Sequence, residues 1–176
     1  MKKLLLTSAI ALFTVSAHAT DIKPILGLDT IYSDIGLTDG YDMLQDKYAS
    51  INMTVGSKFG KYIGIEGFAQ YAFEQENDWG IKTSFYSFGV DTIGYLPVYD
   101  KVNLLGSLGL GYYDVTAERA SIEISEGGLG VRLGAGIQYD LTDNVALRSM
   151  ARYVKLNNFD SMDDMIEVTA GVRFSF

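Results

Sequence analysis

The last twelve residues constrain the fold more than any other feature. Ile166, Val168, Ala170, Val172, Phe174 and Phe176 fall on one face of an extended chain, opposite Met165, Glu167, Thr169, Gly171, Arg173 and Ser175. Strict period-two alternation makes a β-strand with two unlike faces. A soluble sandwich strand can alternate in the same way, but it seldom ends on an unprotected phenylalanine. The pattern therefore favours lipid on the apolar side.

The alternation recurs upstream. Residues 146–154 set Leu147, Ser149, Ala151 and Tyr153 against Arg148, Met150 and Arg152, and residues 129–141 set Leu129, Val131, Leu133, Ala135, Ile137, Tyr139 and Leu141 against Gly130, Arg132, Gly134, Gly136, Gln138 and Asp140. Similar strands are expected over 102–112, 62–73, 49–59 and 24–32, the last with Asp29 on its polar face. Residues 83–96 are the least regular. There Tyr86, Phe88, Val90 and Leu96 are placed outward and Asp91 inward, because a carboxylate facing lipid is costly. Thr92 and Gly94 blur that phase, and a bulge would flip part of it.

These segments make eight strands. Their connections alternate between short ones (60–61, 97–100, 142–144) and longer polar ones (34–47, 74–80, 114–127, 157–164). An all-β, eight-stranded antiparallel up-and-down transmembrane β-barrel fits this layout, with short turns on the periplasmic side and long loops outside. A soluble lipocalin-type barrel would reverse the pattern, with charges outside and an apolar interior. Here one face of nearly every strand is stripped of charge, which a soluble protein has no reason to do. Tyr32, Tyr71, Phe73, Tyr86, Tyr112 and Tyr153 near one end of the strands form one expected aromatic girdle, and Phe59, Tyr95, Tyr99, Tyr139 and Phe176 form the other. Trp79, the single tryptophan, sits at a loop edge as a further interfacial anchor.

The N-terminus reads differently. Lys2 and Lys3 precede an apolar run over 4–15, and Ala17-His18-Ala19 fits a small-x-small cleavage site. That order is a secretory signal peptide over residues 1–19, leaving a barrel domain over 20–176. The run is too short for a spanning helix, which needs about 20 apolar residues. With the leader removed, twelve basic residues face all twenty-two acidic ones, a net charge of −10. Such a chain lacks the basic footprint of a nucleic-acid binder.

There is no cysteine, and the only histidine, His18, lies in the leader. Outer-membrane acylases, deacylases and proteases commonly use a histidine general base, so no catalytic residue, cofactor or metal is expected. The acidic loops carry Asp34, Asp39, Asp42, Asp46, Glu74, Glu76, Asp78, Glu118, Glu123, Glu126, Asp160, Asp163 and Asp164. They keep the surface solvated, and the spacing over 160–164 matches no calcium loop. Divalent cations bridging them to lipopolysaccharide phosphates are the sharper alternative.

Eight strands enclose an interior just wide enough to be filled by side chains. Its inward face carries Asp29, Glu66, Asp91 and Glu167 with Arg132, Arg148, Arg152 and Arg173. Four acids and four bases in a confined space are expected to pair, since an unpaired buried charge costs several kcal/mol. Inward Gly109, Gly111, Gly130, Gly134 and Gly136 would leave room for the arginines.

Several segments resemble the small outer-membrane β-barrel family that includes OmpX and the transmembrane domain of OmpA, a porin-like group. They are Gly64-Ile65-Glu66-Gly67, Gly94-Tyr95-Leu96-Pro97, Gly134-Ala135-Gly136-Ile137-Gln138-Tyr139 and Gly171-Val172-Arg173-Phe174-Ser175-Phe176. The resemblance covers nearly all of residues 20–176. It implies a location in the outer membrane of a Gram-negative bacterium, contact with outer-membrane lipid and lipopolysaccharide, and delivery to the barrel-assembly machinery through a signal at Val172, Phe174 and Phe176. It also implies a gate in which a lumenal glutamate and arginine exchange partners, at Glu66 and Arg148 here. Gln138 stands where the family often has a glutamate, and Met150 where an acid often follows the arginine. These departures favour a static plug. Because the sequence ends at Phe176, the cell-wall domain that follows the OmpA barrel is not expected. The expected role is that of a non-enzymatic surface barrel, with unidentified cell-surface partners on the long loops. The alternative is a small channel of low or gated conductance.

Overall fold

The computed structural model describes residues 22–37, 46–73, 75–76, 82–119, 122–157, 159 and 162–176. The leader, Trp79, Asp39, Asp42, Glu74, Asp78 and Asp160 lie outside them. The strands are β1 (Ile22–Leu37), β2 (Lys47–Phe59), β3 (Ile63–Ala72), β4 (Gln75–Glu76), β5 (Lys82–Tyr99), β6 (Val102–Arg119), β7 (Ile122–Asp140), β8 (Val145–Asn157) and β9 (Met162–Ser175). All pairings are antiparallel, in the order β3-β2-β1-β9-β8-β7-β6-β5-β4, and β3 also pairs with β5. That last pairing, from Ile63 opposite Gly94 to Tyr71 opposite Tyr86, closes the sheet on itself. β4 extends β3 along β5, so the barrel has eight staves. The first and last strands seal it: Leu26 stands opposite Phe174 and Asp29 opposite Gly171.

Closure explains why the alternation is so strict. Backbone groups in lipid must all be paired within the protein, and only a barrel without edges achieves that with strands. Over residues 26–32, 49–59, 63–73, 86–96, 104–112, 129–141, 147–153 and 166–176, no outward position carries a charge. Leu108, Leu110 and Leu133 on this face are 60–63% exposed. The aromatic residues at the strand ends are likewise exposed, except Tyr112, which is half-buried, and Tyr95, which points inward and is buried.

Four details differ from expectation. The irregular strand holds a single phase: Asp91, Ile93 and Tyr95 are inward, and Thr92 and Gly94 outward. Its irregularity lies further on, where the register shifts between Pro97 and Tyr99. Proline has no N–H for the ladder, so that is where pairing gives way. The turn is correspondingly Asp100-Lys101 rather than 97–100. Second, most of the polar stretch 114–127 is a hairpin, paired out to Arg119 opposite Ile122. Polar composition reads as loop, yet β-branched Val115, Thr116 and Ile122 suit strands that continue into water. Third, the β2–β3 turn takes in Tyr62, because Phe59 already pairs with Ile63, and it needs Gly60 at φ +61°.

The fourth difference is inside. The inward face is not uniformly polar. Ile35, Tyr48, Ala72, Phe85, Tyr113, Val154, Leu156, Met162 and Met165 form an apolar cluster at the long-loop end, and Ile93, Tyr95, Leu105 and Met150 form a second one deeper in. Inward residues of β8 run through the layers in order: Leu156 and Val154 (apolar), Arg152, Met150 (apolar), Arg148.

Candidate functional site

The eight charges expected in the lumen, Asp29, Glu66, Asp91, Glu167, Arg132, Arg148, Arg152 and Arg173, are all buried, each no more than 5% exposed. Alternation aims them into the lumen, and their positions along the strands sort them into two tiers.

The lower tier, toward the short turns, is tightly bonded. Arg148 on β8 donates from Nη1 to both Glu66 oxygens, at 2.8 and 2.9 Å. Its Nη2 donates to the Tyr95 hydroxyl at 2.9 Å and to Gln138 Oε1 at 2.9 Å, and its Nε reaches the same Gln138 oxygen at 3.1 Å. Tyr95 passes its own proton toward Glu66 Oε1 at 3.2 Å. Beside this group Arg173 grips Asp29 through two bonds of 2.7 and 3.1 Å, with Asn52 donating to the same carboxylate at 2.9 Å. Arg173 Nε lies 3.6 Å from Glu66 Oε2 and joins the two groups. Forked bonds of this kind are the strong form of charge pairing.

The upper tier is looser. Arg132 donates to Glu167 at 3.2 Å, and its guanidinium lies 3.7 Å over the Phe68 ring. Arg132 and Arg152 flank Asp91 at 3.7 and 3.8 Å, beyond hydrogen-bond length. Arg152 finds only a weak sulfur acceptor in Met150, at 3.6 Å. Nε and Nη1 of both arginines, Asp91 Oδ1, Glu167 Oε1, Ser107 Oγ and the Tyr113 hydroxyl are buried without a protein partner.

The inward glycines divide. A Cβ on Gly134 would meet the Arg152 stem and one on Gly109 the Asp91 carboxylate, so these two make room for charges. Gly111 and Gly130 instead accommodate Phe68 and Tyr113, and Gly136 accommodates Met150. Sequence reasoning missed Tyr95, Gln138, Asn52 and Phe68 as partners. Parity would have found Tyr95, which stands four residues from Asp91 on the same face. Gln138 and Met150 occupy the positions where the family pattern has acids, and here they accept hydrogen bonds from Arg148 and Arg152. Of the described loop acids, Asp163 lies 3.8 Å from Lys155 and Asp164 accepts from Tyr153 at 2.9 Å. Among the described residues, no group of three or more metal-ligating side chains comes together.

The arrangement fills the lumen with matched charges between apolar layers. Among the described residues it places no nucleophile beside a histidine or cysteine.

Comparison with known proteins agrees with this architecture. The model of the outer membrane protein beta-barrel domain matches residues 5–174. An uncharacterised protein of Haemophilus influenzae is 34% identical over an alignment of 132 residues that covers 60% of this chain and 71% of that protein. Among solved structures, Neisserial surface protein A superposes with a TM-score of 0.68 at 16% identity, over 88% of this chain and 97% of that one. Ail, the attachment invasion locus protein of Yersinia pestis, superposes with a TM-score of 0.63 at 19% identity, over 90% and 100%. At such identities the likeness is one of fold.

Proposed function

Since the chain belongs to the outer membrane protein beta-barrel domain family, we propose that it is a non-enzymatic barrel with a sealed lumen, serving envelope structure or surface contact. It spans the outer membrane of a Gram-negative bacterium. The observation that carries the sealed reading is Arg148, whose guanidinium is buried inside the barrel and bonded by Glu66, Tyr95 and Gln138. Eight strands leave no spare width around such a cluster. Purified protein in planar bilayers should stay silent or give rare flickers. Steady ohmic conductance would overturn the reading.

A second reading, a channel of low and intermittent conductance, draws on the looser upper tier. Its arginines stand between Asp91 and Glu167 without saturating either. Flickering that disappears in Asp91→Asn would favour it.

Export follows a leader over 1–19, so N-terminal sequencing of protein from outer membranes should begin at Thr20. Val172, Phe174 and Phe176 serve as the signal to the assembly machinery. Surface contact falls to the long-loop end, in reach of lipopolysaccharide and of other cells. Ail has been crystallised with the heparin analogue sucrose octasulfate. The corresponding end of this chain is acid-rich, so a sulfated polyanion is a poor fit and a cationic partner a better one.

A further inference from the structure

At the short-turn end the interior opens into a cavity of about 360 Å³, walled by inward residues of β1, β2, β5, β7, β8 and β9 and by the turns at 100–101 and 141–144. Its lining is richer in bases than the chain as a whole. Of the twelve Lys and Arg after Lys3, five line it, namely Lys23, Lys58, Lys101, Arg148 and Arg173. Of twenty-two acids, only Asp100, Asp140 and Asp143 do. With Arg148 and Arg173 answered by Glu66 and Asp29, three lysines face three aspartates, so this mouth is locally neutral in a protein of net charge −8. Ammonium groups without an ion-pair partner in a concave site draw anions.

Two of these bases are placed at a cost that an anion would remove. Lys23 and Lys58 are directly opposite each other in the β1–β2 register. Like charges so placed destabilise a sheet. Lys58 is half-buried, with Nζ held 4.2 Å from the centre of the Tyr95 ring. Among the described residues neither amine forms an ion pair. The carboxylate of Asp140 is turned to amides instead, accepting from Asn103 at 3.0 Å and Gln138 at 2.8 Å. Arg148 and Arg173 are committed to Glu66 and Asp29, and so build the floor.

We propose that this mouth binds a phosphate-bearing anion between Lys23 and Lys58, with Lys101 at the rim. Compact ammonium groups act as point charges for phosphate, and the volume matches a small ligand. The phosphate belongs either to a small soluble molecule or to a lipid headgroup of the facing leaflet. The site works whether or not the lumen conducts.

Inorganic pyrophosphate is the probe. Titration calorimetry on the full chain folded in maltoside detergent, with sodium chloride at matched ionic strength as control, should give saturable binding. Lys58→Gln and Lys23→Gln should each weaken it about tenfold, the loss of one charge-assisted contact. Folding of each variant is checked by the mobility of unboiled samples on gels, and either variant suffices. Absence of saturable binding, or affinity unchanged in a folded variant, overturns the proposal. Amine-reactive labelling of Lys23 and Lys58, referenced to Lys61 in the β2–β3 turn, separates the sources. Protection in phosphatidylglycerol nanodiscs without pyrophosphate identifies a headgroup, and protection by pyrophosphate alone identifies a soluble anion. Protection in neither case overturns the site.

Discussion

Replacing Arg148 by methionine tests whether paired charges, rather than packing alone, hold the interior together. The Arg148 and Glu66 side chains are 1% and 3% exposed. Without the guanidinium, Glu66 keeps the Tyr95 hydroxyl and Arg173 Nε at 3.6 Å, while Gln138 Oε1 loses both its donors. Breaking a buried pair from one side costs about 3–5 kcal/mol. The residual contact to Arg173 puts Arg148→Met at the lower end, about 3 kcal/mol. Removing both charges, Glu66→Met with Arg148→Met, should cost less than the single change, about 1–2 kcal/mol. Only Tyr95, Gln138 and Arg173 are then left short of a partner. The assay is urea unfolding in phospholipid vesicles, read as the fraction that still migrates as the unboiled band. The double-mutant cycle isolates the pair. A single variant costing under about 1 kcal/mol, or a double variant as unstable as the sum of the singles, would refute the reasoning.

Three further outcomes follow from the same geometry. Gly109→Val should destabilise the barrel by about 1–3 kcal/mol through overpacking, because a Cβ there meets the Asp91 carboxylate and stands 2.6 Å from the Val90 oxygen. Gly106→Ala should be neutral in the same urea assay, since nothing lies within 4 Å. Spin labels at 92, 168 and 172 should be accessible to oxygen dissolved in lipid, and a label at 93 should not; the reverse at 92 and 93 would overturn the phase of β5. Deleting Phe176, which is 71% exposed, should leave folding in detergent intact and lower the amount reaching the outer membrane in cells, measured by fractionation.

Much of the barrel could be read from the sequence because lipid enforces a rule that water does not. An outward charge is expensive at every level of the membrane core, so parity alone sorts residues such as Val168 from Glu167. Strand ends were harder to place. Beyond the bilayer the rule lapses, and residues 114–119 continue as strand with the same polar composition that elsewhere makes loops. Tyr95 was misplaced for a related reason: a tyrosine near a strand end suits an aromatic girdle as well as a lumenal hydrogen bond, and only its phase relative to Asp91 decides. The pairing of the charges was not legible either. Arg148 and Glu66 are 82 residues apart and on strands that are not neighbours in the sheet, so their meeting depends on how far each strand is staggered around the barrel.

The same rule explains where variation can be tolerated. Lipid supplies the apolar environment outside, so the interior is free to be polar, but only in matched sets, because water is scarce there. Four acids against four arginines meet that condition, and the remaining acids of the chain are held at the ends. A single charge change in the lumen leaves a buried partner unanswered, whereas a change in the connections meets water. Function that must adapt to a partner therefore belongs at the two mouths of this barrel: the acid-rich long-loop end facing outward, and the lysine-bearing cavity facing the periplasm.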